Sequence, residues 1–191
     1  MKTLETERLR LTMFTMEDAA DLYDYAKNPN VGPHAGWSPH KSREESEIII
    51  RDLFLPNETW AIRMKDETKA DGKPGKVIGS ISLEPDRYRP DANSKELGYS
   101  LSEDYWKQGI MTEAAKEVIR FAFEELGLSQ IGICTCLLYT SESLIISGKN
   151  LHIEALDLEE GRMVAFGEID SFVYAKKKSG RRLWERLGRK K

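Results

Sequence analysis

A chain of 191 residues with 40% hydrophobic side chains can bury one good core and is too short for two large domains. No run approaches the ~20 apolar residues that a membrane span needs, and the N-terminus carries no apolar signal region, so the expected location is the cytoplasm. The net charge of −3 hides an asymmetry: residues 176–191 hold nine Lys and Arg against Glu185 alone, a surplus of +8, which leaves −11 on the rest. An acidic body with a basic tail is one protein with an interaction arm, or two unrelated pieces.

Residues 7–13 (Glu-Arg-Leu-Arg-Leu-Thr-Met) alternate and predict a first strand. Thr15 followed by Asp18 is a capping-box-like start for a helix to about Asn28, with Ala19, Leu22 and Tyr23 on its apolar side. Residues 28–37 form a turn-rich loop. Ser42 and Glu45 make a second capping box, opening a helix with Ile49, Ile50, Leu53 and Phe54 at helical spacing. Strands follow over 59–64, 76–83 and 95–101. A helix over 111–126 turns Glu113, Lys116, Glu117, Arg120 and Glu124 to one face and Met111, Ala114, Ala115, Val118, Ala122 and Leu126 to the other, and Gly127 stops it. Residues 130–134 form one more strand. The pattern alone predicts an α/β or α+β fold with a mostly antiparallel sheet. Cys134 and Cys136, the two cysteines, share a strand face at a spacing that suits a disulfide poorly. They are expected to be reduced thiols, and no Cys/His cluster points to a metal.

The long helix is unusual at its front. Gln108-Gly109-Ile110-Met111 offers no Ser, Thr, Asp or Asn cap, so several N–H groups point forward with no receiver from the chain. A phosphate receives such groups well, helped by the helix dipole and by Lys107. The dipole contributes only about 0.3–1 kcal/mol, so several direct amide bonds must supply the binding. A water-capped surface helix is the alternative, and spacing does not separate the two.

Tyr105-Trp106-Lys107-Gln108-Gly109-Ile110-Met111-Thr112-Glu113-Ala114 resembles the acyl-CoA loop of the GCN5-related N-acetyltransferases (GNAT), in the branch that acetylates ribosomal-protein alanine. Lys107 stands where that branch has glycine. Glu5-Thr6-Glu7-Arg8-Leu9-Arg10-Leu11 resembles the opening of the same domain, and the likeness runs over about residues 4–134. It implies an α+β fold with a mixed sheet, acetyl-CoA as co-substrate and a primary amine as acceptor, either a protein N-terminal α-amine or a small-molecule amine. It implies that the pantetheine arm lies along residues 96–101, touching Tyr99 and Leu101, with a backbone N–H near Leu101 polarising the thioester. The diphosphate is expected on Lys107, Gln108, Gly109, Ile110, Met111 and Thr112. Glu96 and Glu84 are the candidate bases, each weighed against a solvated edge carboxylate. His34 and Trp37 are candidates for the acceptor side, against an exposed histidine and a packed tryptophan, and Trp106 is expected to pack behind the loop. A lysine acceptor costs about 4–5 kcal/mol to deprotonate at neutral pH and an α-amine only about 1, which favours a protein N-terminus.

The family pattern stops after residue 134, where a helix opening with Asn and a final hairpin should follow. Asn150, with Leu156 and Gly161 at matching distances, allows a late helix. Against this, residues 144–153, 156–164 and 167–174 resemble the C-terminal half of YabP-type sporulation proteins, and residues 136–141 resemble translated sequencing-adaptor sequence. The expected organisation is therefore a truncated acetyltransferase domain over 1–136, a junction over 137–141, a strand-rich segment of other origin over 142–175 and a basic tail over 176–191, a chimera of natural or artefactual origin. On the alternative reading the chain is a non-enzymatic, strand-rich interaction protein defined by residues 142–191. No DNA contact is expected. The tail, with Leu183, Trp184 and Leu187 among basic residues, offers either a weak contact to an anionic surface or a disordered solubilising end.

Overall fold

The computed structural model describes residues 1–33, 36–67, 75–86, 93–137, 140–157, 162–178 and 181–186, with side chains described up to residue 132. Two compact units emerge: the first contains residues 1–83 and 99–117, the second residues 84–98 and 118–191.

In the first unit four strands form an antiparallel ladder. Strand β1 (Leu4–Glu5) pairs with β2 (Leu9–Met13), β2 with β3 (Trp60–Met64), and β3 with β4 (Val77–Pro85). The alternation of Leu9 and Leu11 sends both to the fully buried face. The Thr15 capping box forms as its spacing demands, with the Asp18 carboxylate accepting from the Thr15 N–H at 2.8 Å. A 3-10 turn leads into helix α1 (Ala19–Ala26). On that helix Tyr25 is buried and Tyr23 only partly so, which corrects the expected apolar face.

Helix α2 (Arg43–Ile49) starts on the Ser42 cap, whose hydroxyl accepts from the Glu45 N–H. It then widens into a π-helical stretch, Ile50–Phe54, closed by the Leu55 N–H on the Ile50 carbonyl at 2.9 Å. The wider turn keeps Ile50 inside and leaves Leu53, expected on the apolar face, exposed. Phe14, Leu22, Tyr25, Val31, Ile50 and Val77 build the core of this unit, with Trp37, Phe54 and Trp106 packed against it.

One polar group sits deep in this unit. The Arg63 guanidinium donates to Asp18 Oδ1 at 2.7 Å, to the Gly75 carbonyl at 2.6 Å and to the Thr12 hydroxyl at 3.2 Å. The side chains of Arg63 and Asp18 are 5% and 9% exposed. The pair thereby links β2, β3, the start of α1 and the entry to β4.

Strand β5 (Ser94–Leu101) runs from the second unit into the first. Its last residues lie close to β4: Ser102 N–H donates to the Ile78 carbonyl at 2.8 Å, and the Ser80 and Ser100 hydroxyls bond at 2.8 Å. A Cβ on Gly79 would come within 2.5 Å of the Ser100 carbonyl, so this approach requires glycine.

Within the second unit, Ser94–Leu97 of β5 pair in parallel with Gln130–Ile133 of β6 (Gln130–Leu137). Helix α3 (Ile110–Glu124), shared between the units, buries Ile110, Ala114, Ala115, Val118, Ile119, Phe121 and Ala122 at helical spacing. Leu126, expected on that face, is 49% exposed because the helix has already ended. Gly127, at φ +65°, lets the Leu128 N–H return to the Ala122 carbonyl.

After β6 the chain forms β7 (Thr140–Asp157), β8 (Arg162–Lys178) and β9 (Arg181–Arg186), each antiparallel to the one before. Asn150 lies within β7, which removes the late-helix expectation. Residues 181–186 pair with Val173–Lys178 instead of trailing as a coil, and the register sets Lys177 opposite Arg182 and Lys178 opposite Arg181. Among the described residues no helix is long and apolar enough to cross a membrane.

Replacing Arg63 with Met leaves Asp18 as a buried, unpaired carboxylate. The expected loss is about 3–5 kcal/mol of unfolding free energy, read from urea denaturation of the purified chain.

Candidate functional site

The loop before helix α3 is built from the fold's own backbone bonds. After β5, residues Glu103–Tyr105 form a 3-10 turn whose Tyr105 N–H returns to the Ser102 carbonyl. Asn28 Nδ2 donates to Glu103 Oε2 at 2.6 Å and Asn30 Nδ2 to both Glu103 oxygens at 3.0–3.1 Å. These bonds, Asn30's first, hold the Glu103 carboxyl below its ordinary pKa. The Trp106 indole N–H donates to the Leu101 carbonyl at 2.9 Å and its ring packs on the core, as expected for a residue behind the loop.

The next three residues set the direction of the chain. Lys107 has φ +59° and Gly109 φ +71°, two left-handed residues on either side of Gln108. Such alternation turns successive N–H groups to a common concavity. Gln108 Nε2 fastens the turn to the Asp104 carbonyl at 2.9 Å. Glycine adopts this conformation freely, whereas a lysine is strained there by about 1–2 kcal/mol. The departure from glycine at position 107 therefore has a conformational consequence besides the added charge.

Helix α3 then opens as its sequence implied. Its first internal bond at this end is the Glu113 N–H on the Gly109 carbonyl at 3.0 Å. Among the described residues, no bond uses the N–H groups of Ile110, Met111 or Thr112, as the geometry of a first helical turn requires. Lys107, Gln108 and Gly109 are exposed, Met111 and Thr112 half-buried, and Ile110 is anchored in the core. The six residues expected to take a diphosphate are thus contiguous on one loop and one helix end. Tyr99 and Leu101 stand on the strand that feeds the loop, in the same unit. Burial drives the Tyr99 phenol up to about 12, so it remains an O–H donor throughout the physiological range.

The remaining candidates are placed differently. Glu96 is 5% exposed on β5 and Glu84 is half-buried near the end of β4, and both have interacting neighbours. Glu96 is therefore no solvated edge carboxylate. Trp37 is half-buried, packs on the core and lies 5.1 Å from the His40 ring; a Cβ on Gly32 would strike it. His34 lies outside the described residues. Among the described residues no His, Cys, Asp or Glu cluster suits a metal.

Sequence reasoning missed three residues at this site. Glu113, assigned to the solvated face of α3, instead takes the Thr6 hydroxyl, the Arg8 N–H at 2.9 Å and the Arg8 guanidinium at 2.6 Å. Burial alone raises its pKa; the Thr6 and Arg8 hydrogen bonds outweigh this and leave it lowered. The signal was present as two separate motifs, Thr6-Glu7-Arg8 and Thr112-Glu113-Ala114, whose contact no local pattern could announce.

Set against known proteins, residues 8–136 match the model of the acetyltransferase (GNAT) domain and residues 135–181 that of the YabP family. The chain is 29% identical over 136 residues to the uncharacterized N-acetyltransferase p20 of Bacillus licheniformis, covering 69% of this chain and 71% of the relative. A GNAT-family acetyltransferase from Bacillus anthracis superimposes with a TM-score of 0.59 at 15% identity, over 72% of this chain and 76% of that one. The ribosomal-protein-S5-alanine acetyltransferase of Vibrio fischeri does so with 0.51 at 20% identity, over 71% and 74%. At these identities the two structures speak to the fold.

Gly109→Ala places a Cβ on a left-handed residue and is expected to lower stability by about 1–2 kcal/mol. Lys107→Gly relieves the same strain but adds about 0.5–1 kcal/mol of chain entropy, so its net gain should stay below about 1 kcal/mol. Denaturation midpoints of the two variants check both values. In an ultraviolet pH titration, Tyr99 is expected to keep its proton past the point where exposed tyrosines have ionised; its replacement by Phe should leave the amplitude below pH 11 unchanged.

Proposed function

Because the chain belongs to the GNAT acetyltransferase family through residues 8–136, we propose that it takes acetyl-CoA as donor and transfers the acetyl group to a primary amine. The observation that carries this reading is the open first turn of α3, entered through the left-handed Lys107 and Gly109. The amides of residues 108–112 receive the diphosphate, with Lys107 adding a positive charge. The pantetheine arm runs along β5 past Tyr99 and Leu101. Rate then comes from positioning the thioester against the amine and from removing the amine's proton.

The acceptor follows from that proton. A protein α-amine needs about 1 kcal/mol to reach its neutral form at pH 7, against about 4–5 for a lysine side chain. The reading therefore favours an N-terminal amine. Glu96 and Glu84 are the carboxylates proposed to take the proton, and Trp37 and His34 the residues proposed on the acceptor side.

A second reading applies to the C-terminal part. The YabP-family match over residues 135–181 and the strands β7–β9 support a segment of separate origin in place of the usual closing helix and hairpin. Transfer by this chain should accordingly be weak even when cofactor binds. The same segment, with its basic end, is the candidate for an interaction role independent of catalysis.

Acetyl-CoA at a hundredfold excess over its Kd should stabilise the chain by about 2.7 kcal/mol, read as a rise in Tm. Gly109→Glu should abolish that rise by placing a carboxylate against the diphosphate. A wild-type chain whose Tm no acyl-CoA moves would refute the donor assignment.

A further inference from the structure

Arg8 lies just ahead of β2, yet its guanidinium is committed to the loop a hundred residues further on. Its Nε donates to Glu113 Oε2 at 2.6 Å and its Nη1 to the Gln108 carbonyl at 3.1 Å. The remaining Nη2 lies 3.7 Å from the point where a Gly109 side chain would begin. The contact is prepared from both sides. Thr6 accepts the Leu9 N–H at 2.9 Å and donates to Glu113 Oε1, and the same carboxylate oxygen takes the Arg8 N–H. Thus Glu113 holds the turn before β2 through three donors, and Arg8 reaches past it to the loop backbone.

The bond to the Gln108 carbonyl has a directional consequence. A trans peptide unit carries its C=O and N–H on opposite edges of one plane. With the Gln108 carbonyl held by Arg8, the Gly109 N–H must point the other way. Glycine itself does not enforce this orientation, because it accepts either sign of φ at similar cost and the peptide before it can flip. The Gly109 value of +71° is one of two accessible choices. The guanidinium charge also polarises the peptide it holds, strengthening the N–H on the far edge as a donor.

We propose that Arg8 is a positioning residue for the acetyl-CoA diphosphate, locking the Gln108–Gly109 peptide so that the Gly109 N–H is available to a phosphate oxygen. The proposal rests on the reading of residues 107–112 as the diphosphate loop. It explains why an N-terminal turn with its own internal bonding is tied to the first turn of a distant helix, and it gives Glu113 a role that its place on a polar helix face did not suggest. Arg8 acts through the backbone and through Glu113, which shares the guanidinium and fixes its plane.

The test compares the full-length wild type, Arg8→Met and Arg8→Lys by calorimetric titration with two probes, acetyl-CoA and S-acetylpantetheine, the second lacking the diphosphate. Loss of one charge-assisted bond predicts that Arg8→Met weakens acetyl-CoA binding about tenfold, while its affinity for S-acetylpantetheine stays that of the wild type. Wild-type acetyl-CoA affinity in Arg8→Met, or an equal loss for both probes, overturns the proposal. If Arg8→Met does not fold, Arg8→Lys decides. One ammonium cannot serve the carbonyl and the carboxylate in the fork geometry of guanidinium, so acetyl-CoA affinity should fall about threefold or more, and an unchanged value overturns the proposal. A wild-type chain that binds neither probe overturns the diphosphate reading itself, an outcome distinct from a wild type that binds both without dependence on Arg8.

Discussion

A helix whose first amides have no partner from the chain cannot use them to secure its own start. Here that start is secured from outside: Glu113 in the first turn of α3 takes three donors from residues 6–8, and Arg8 holds the loop carbonyl at Gln108. The arrangement leaves the N–H groups of residues 110–112 without partners among the described residues while the backbone around them stays fixed. Donors held by such bonds and left unpaired suit the proposed diphosphate site, since a loop that must first be ordered subtracts that entropy from binding. Because the Glu113 carboxyl is held below its ordinary pKa, the clamp contributes fully at neutral pH. That contribution is lost only as the solution is acidified through the lowered value.

The scaffold under this site depends on a second buried charge. Arg63 and Asp18 join β2, β3 and the head of α1 at a point where neither could be left alone. Desolvation opposes such a pair, and replacement of both partners by apolar groups is often neutral. Its value here is positional: Asp18 also closes the Thr15 capping box, so one carboxylate fixes the start of the helix and its seat on the sheet. Core packing around Phe14, Tyr25 and Ile50 then brings Trp106 and the loop in front of it to a set position.

The strands and helices were legible because each rests on a short period. Alternation in residues 7–13, the capping box at Thr15 and the helix start at Ser42 needed only neighbours within four residues, and the structure repeats them within one or two positions; at Ser42 only the cap half of the expected box forms, since the Glu45 carboxylate accepts from the Lys41 N–H instead. Leu53 and Leu126 were misplaced where that period breaks, at a π-helical turn and just past a helix end. The loop at 105–115 could be recognised because its chemistry lies in consecutive residues. Its left-handed Lys107 could not, since a lysine in that conformation is held by surroundings and not by propensity.

By itself the sequence determined the order of elements, the likeness of residues 4–134 to the GNAT domain, the uncapped front of the long helix and the change of character after residue 134. The order of elements and the open helix front are written in periodicity and capping, and the likeness and the point where it stops in motifs of consecutive residues. Only the tertiary structure decided that Glu113 faces Arg8 and Thr6 instead of water, that Glu96 is buried, and that Asn150 sits in a strand. Each of these depends on a partner far along the chain. A side chain on an exposed-looking helix face has its environment set by whatever segment folds against it, and that information is absent from the residues on either side.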